Sequence, residues 1–242
     1  MYNGFRIGVN TFRESLREPV YVLTLFAVLA IIGIYPATAD FVFYEEQKYV
    51  ADGAMATFWL GALLISALCA GKTISRELRN GSVLMTLAKP VSRFSYLAGK
   101  FSGVAAATLF FGISAALATL TALSIATDAF RFDGNLVAIS FAVPAAAALF
   151  AMAANFLRGV SFSEYASLAA GILTALWCAV RLTGAETLPF DLPDAAKALA
   201  ALSAAVALLS TIAAATAFFF DAVPTIGIVL AFFMTGTVSR YL

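Results

Sequence analysis

A chain of 242 residues that is 62% hydrophobic and 12% charged cannot cover itself with polar surface, since a soluble domain carries about a quarter charged residues. Its mean hydropathy of +0.93 places it in a bilayer. The net charge of +1 gives no argument for a nucleic-acid partner, and the absence of histidine removes both a Ser-His-Asp triad and an H-E-x-x-H zinc site.

The first element is expected over residues 1–19. Phe5, Val9, Phe12 and Leu16 follow 4-3-4 spacing, one stripe of a helix, while Arg6, Arg13 and Arg17 lie off the stripe and interleave with Glu14 and Glu18. That pattern describes an interfacial helix entering the membrane at Pro19. A secretory signal is the competing reading, because Ala37-Thr38-Ala39 resembles a cleavage site after the apolar run Val20–Tyr35. The long, organised region before that run argues against it, since ordinary n-regions are short.

Six or seven spans follow. They are expected near Val20–Tyr35, Ala54–Gly71, Leu97–Ala126, Leu136–Leu157 and Tyr165–Val180, then in the apolar runs Ala198–Phe220 and Ala222–Ser239. A hydrocarbon core of ~30 Å needs ~20 helical residues, so the first and fifth need their flanks. The third is long enough to tilt or project. The final pair, separated by Asp221 and Pro224, reads as two spans or as a re-entrant hairpin. Cys69 and Cys178 fall inside apolar runs and are expected to pack as small hydrophobes.

Charge sets the orientation. The N-terminus carries three arginines, and the second connector holds six of the fifteen basic residues: Lys72, Arg76, Arg79, Lys89, Arg93 and Lys100. Both are expected to be cytoplasmic. The first connector, with Asp40, Glu45, Glu46 and Asp52 against Lys48, is expected outside as a solvated loop. The third connector is also expected outside, the fourth (Arg158, Glu164) inside and the fifth (Asp191, Asp194) outside. The rule gives no clear answer after residue 197.

The basic connector is also patterned. Ile74, Leu78, Leu84 and Leu87 recur at roughly helical spacing, so an amphipathic helix over 74–88 is expected along the membrane face, ended by Pro90. A solvated basic loop that only sets orientation is the plainer alternative. Gly71-Lys72-Thr73 resembles the end of a phosphate-binding loop, but Ser66 stands where that loop needs glycine and a span precedes it, so nucleotide binding by this chain is rejected. Glu164, Arg158, Arg181 and Asp221 sit at span ends, where the interface can solvate them. That placement weakens a proton-relay or ion-coupled reading.

The chain resembles the permease subunits of ABC transporters of the ABC-2 class. Thr11, Glu14 and Arg17 match a T-x-x-E-x-x-R type sequence before the first span. Glu77, Gly81, Leu84, Leu87, Lys89-Pro90-Val91-Ser92-Arg93 and Gly99-Lys100 match a second pattern. The likeness covers residues 1–160 well, extends loosely beyond, and includes the branch related to multicopper-enzyme maturation. Such permeases commonly end in a short basic tail, whereas this sequence stops at Arg240-Tyr241-Leu242.

The resemblance implies an all-α, polytopic transmembrane domain over residues 1–242, in the cytoplasmic (inner) membrane with its N-terminus in the cytosol. The chain would bind no cofactor and carry out no catalysis itself. ATP and Mg would belong to a separate cytosolic ATPase, and a second permease subunit, identical or related, would face this one. Glu77, Leu78, Gly81, Leu84, Leu87, Pro90 and Arg93 would form the ATPase-coupling element. Phe5, Phe12, Glu14, Leu16 and Arg17 would belong to the interfacial helix. Two other readings stay open: a secondary carrier or channel working without ATP, and a non-transporting membrane scaffold. Co-purification of an ATPase separates the first from both, and gradient-driven flux by the chain alone would favour the second.

Overall fold

The computed structural model describes residues 2–39, 45–75, 92–126, 134–184, 188 and 190–238, and among these every regular element is a helix. In chain order they are α1 (Tyr2–Arg17), α2 (Pro19–Thr38), α3 (Glu46–Ala70) with a π-helical continuation Gly71–Ser75, α4 (Arg93–Ile125), α5 (Gly134–Arg158), α6 (Phe162–Gly184), α7 (Leu192–Thr216) and α8 (Ala222–Val238). Helices α2 to α7 are long and apolar enough to cross a bilayer, while α8 is a shorter apolar helix. This is an all-α polytopic membrane architecture.

Local chemistry explains the boundaries. Pro19 opens α2, where its missing N–H costs no helical bond. Ser92 Oγ accepts the amide of Ser95 at 3.2 Å and so caps α4. Gly159, at φ +62°, ends α5 in a left-handed conformation, and its amide donates to Asn155 at 2.9 Å. Two residues later Ser161 and Glu164, 3.4 Å apart, form the start signal of α6. The expected spans gain these flanks: the second starts at Glu46 rather than Ala54, and the fifth runs Phe162–Gly184. Pro36 and Pro144 lie inside helices that continue past them.

The chain forms two compact units. One consists of the described residues of Met1–Tyr21, Ala62–Leu109 and Ala204–Leu242; the other of those of Val22–Gly61 and Phe110–Ser203. The second unit has a core of Leu25, Val28, Ile32, Phe58 and Phe111, with Gly61 seated under Val28 and Phe111. There Tyr35 Oη lies 3.0 Å from Thr57 Oγ1, and its ring meets Tyr49 edge-on at 5.8 Å. These contacts tie α2 to α3 in the manner of polar glue between membrane helices.

Three charged groups in this unit depart from expectation. Glu46 is not in a solvated loop: it sits in the first turn of α3 and is 2% exposed, while its neighbour Glu45 stays in solvent and pairs with Lys48 at 3.3 Å. A carboxylate is favoured at a helix N-terminus, which offsets some of the burial cost. Glu164 is 3% exposed for the same positional reason. Arg181 turns inward and donates from Nη2 to the Ser124 carbonyl at 2.8 Å, at the C-terminal end of α4.

Candidate functional site

The first unit gathers the two ends of the basic connector. Residues 76–91 themselves lie outside the described residues, and with them Glu77, Leu78, Gly81, Leu84, Leu87 and Pro90. What the structure describes is the pair of stems: the π-helical end of α3 and the start of α4, where Arg93 is exposed.

Both stems are held by α1. On the α3 side, Lys72 Nζ meets Glu18 Oε2 at 3.2 Å. On the α4 side, Lys100 Nζ meets Glu14 Oε2 at 3.6 Å; the lysine side chain is 3% exposed and the glutamate 36%. Glu14 and Glu18 are one turn apart, so a single helix reaches both stems with adjacent carboxylates.

Glycine brings α1 and α4 close enough for this. A Cβ on Gly99 would lie 2.7 Å from the Gly4 carbonyl oxygen, and one on Gly103 would lie 2.6 Å from that of Gly8. A Cβ on Gly8 would in turn meet Ser102 Oγ at 2.9 Å. The two helices thus cross backbone against backbone, through Gly4-x-x-x-Gly8 on one and Gly99-x-x-x-Gly103 on the other. At these separations Cα–H groups face carbonyl oxygens, a weak but repeated attraction. Thr11 and Ser15 continue the face, each 0% exposed.

The packed face of α1 is therefore Gly4, Gly8, Thr11 and Ser15, joined by Leu16, which is 0% exposed. The apolar stripe behaves unevenly. Phe5 is 75% exposed and Val9 42%, whereas Phe12 is half-buried and Arg17 exposed.

A second element grips the same stems. Ser75 Oγ lies 2.7 Å from the carbonyl oxygens of both Ala217 and Phe220, in the turn between α7 and α8. Phe101 of α4 stacks on Phe218 of that turn at 5.8 Å. Gly71 makes room for α8, since a Cβ there would come within 2.5 Å of the Ala222 Cα. A π-helical turn such as Gly71–Ser75 is uncommon and is frequent at functional sites. The Gly71-Lys72-Thr73 triplet is thus the end of a span whose lysine binds a glutamate.

The two patterns that carry the family resemblance meet here. Thr11 and Glu14 from the first contact Gly103 and Lys100 around the Gly99-Lys100 end of the second. The glycine spacing and the roles of Lys72, Ser75 and Lys100 were not assigned from sequence. The two four-residue glycine spacings were the available signal.

The fold and this site define a multi-pass helical membrane protein built around a connector clamped at both ends. The family described as ABC-2 family transporter protein matches residues 7–188, most of the chain, and the protein belongs to that family. It is a membrane permease component of ABC transport. No curated protein and no solved structure matches the chain.

Proposed function

We propose that this chain couples ATP hydrolysis by a separate cytosolic ATPase to movement of a substrate across the cytoplasmic membrane. ATP and Mg are bound by that partner, and a second permease subunit, identical or related, completes the transporter. The N-terminus and Arg79 face the cytosol, and Glu45 and Asp191 face outward, following the distribution of Lys and Arg.

The observation that carries this reading is the convergence of both stems of the 76–91 connector on α1 and on the α7–α8 turn. A connector that only set orientation needs no such grip. Force applied to it by a closing ATPase passes into α3 and α4 through short, ion-paired and glycine-packed joints, so the spans move with it. Within the connector, Leu78, Leu84 and Leu87 supply a docking face in the helix-in-groove mode. Glu77 supplies a polar contact, and Gly81 a point of close backbone approach. Pro90 and Arg93 end the element at the α4 stem.

The test is transport-linked ATP hydrolysis by the reconstituted complex at matched expression. Glu77→Ala and Gly81→Trp are expected to leave the chain in the membrane and to uncouple it. Losing a partly buried polar contact costs ~1–3 kcal/mol, a roughly five- to hundredfold weaker association. Wild-type coupling in both variants would reduce the connector to an orientation loop.

A further inference from the structure

We propose that the outer side of α1 is a binding surface for anionic phospholipid headgroups. The proposal rests on the helix's exposed side chains and on the membrane setting, and is independent of the ATPase reading.

At about 100° per residue, three faces of α1 follow one another round the axis. Gly4, Gly8, Thr11 and Ser15 face α4 and are used up by packing. Phe5 and Val9 come next, 75% and 42% exposed, with the half-buried Phe12 beside them. Arg6, Arg13 and Arg17 follow, all exposed, on the side of the helix away from α4. Large apolar side chains next to a row of guanidiniums are the two halves of an interfacial site: rings enter the acyl boundary while cations lie at headgroup depth.

Charge complementarity selects the occupant. Glu14 and Glu18 lie on the opposite flank and are turned to Lys100 and Lys72, so the outer side presents one sign. Guanidinium groups bind phosphate oxygens in pairs, and an anionic lipid adds net negative charge to that phosphate. In a chain that crosses the bilayer repeatedly, a helix ending two residues before a span begins its outer side at the lipid surface. Each basic residue held at an anionic surface strengthens binding about fivefold, so three give on the order of a hundredfold preference over zwitterionic lipid. That preference weakens as salt rises.

The experiment places a spin label at Val9→Cys in the full chain carrying Cys69→Ala and Cys178→Ala. Collision rates with oxygen and with a water-soluble nickel chelate are read in phosphatidylcholine vesicles and in vesicles with a third of that lipid replaced by phosphatidylglycerol. The label is expected to lie deeper, favouring oxygen over nickel, with phosphatidylglycerol. The triple variant Arg6→Gln, Arg13→Gln, Arg17→Gln should lose that difference, and the corresponding triple Lys variant should keep it. As a second readout, the wild-type chain purified in mild detergent should retain more phosphatidylglycerol than the Gln variant. Equal depth in both vesicles overturns the proposal, as does retention of the difference by the Gln variant or its loss in the Lys variant. A label shielded from both reagents overturns it too, because a protein surface would then cover this face.

Discussion

Helices α4 and α5 have nearly the same apolar character, with span hydropathies of 1.9 and 2.2, yet 61% of the first span is buried inside the protein and 17% of the second. Hydropathy says that both belong in the membrane and cannot say which faces protein. The difference lies in small and polar residues. Helix α4 carries Gly99, Gly103, Thr108, Ser114, Thr119 and Thr121, all buried, and its hydroxyls bond to carbonyls three or four residues back in the same helix. These residues let other backbones approach. Helix α5 buries only Val137, Pro144, Ala147 and Ala151 and turns Leu149, Phe150, Phe156 and Leu157 outward. In a bilayer, lipid tails satisfy large apolar side chains, so close packing falls to the small ones.

The sharpest way to break the comparison is to put the same side chain on each helix. Gly103→Leu drives a branched chain into the Gly8 carbonyl and Thr11, and is expected to cost about 3 kcal/mol or more, or to prevent assembly. Ala146→Leu on the exposed side of α5 is expected to stay within about 0.5 kcal/mol of the parent. Unfolding midpoints in mixed detergent compare the two; equal costs would mean that α1 and α4 do not cross at their glycines.

The next effect concerns charge. Glu14→Gln leaves the Lys100 ammonium buried without its carboxylate. The expected cost is about 2–3 kcal/mol, below the ~3–5 kcal/mol of a fully buried pair because Glu14 is about one-third exposed. The double variant Glu14→Gln, Lys100→Met should recover part of that loss, and an additive double-mutant cycle would show that the pair does not interact. Glu18→Gln gives the smallest change, about 0.5–1 kcal/mol, because the Lys72 side chain is 35% exposed and water can replace the partner. The order of the two glutamates in the same melting assay is the check.

The same contrast explains what the sequence disclosed. Six spans and a preceding interfacial helix were legible because ~20-residue apolar runs between polar connectors have few other uses. The packing side of α1 was not. Counting apolar residues points to Phe5, Val9, Phe12 and Leu16, but only Leu16 is fully buried, and the contact with α4 runs through Gly4 and Gly8. Glu46 and Glu164 were read as solvated because span ends usually are; each is buried in the first turn of a helix. Lys100 belonged to a recognised pattern, yet its pairing with Glu14 bridges elements 86 positions apart in sequence, which no local spacing reports. The connector residues Glu77 and Gly81 lie outside the described residues, so their role rests on the proposal above.

The account's central claim is that α1 makes the connector's two stems move as one. The most direct measurement is the amount of substrate moved per ATP hydrolysed by the reconstituted complex carrying Glu14→Gln, a change outside the connector itself. The account expects hydrolysis to continue while transport per ATP falls at least about tenfold, the consequence of losing ~1.4 kcal/mol or more from the joint. Transport per ATP equal to wild type, in a protein whose melting confirms that the Glu14–Lys100 pair is lost, would contradict it.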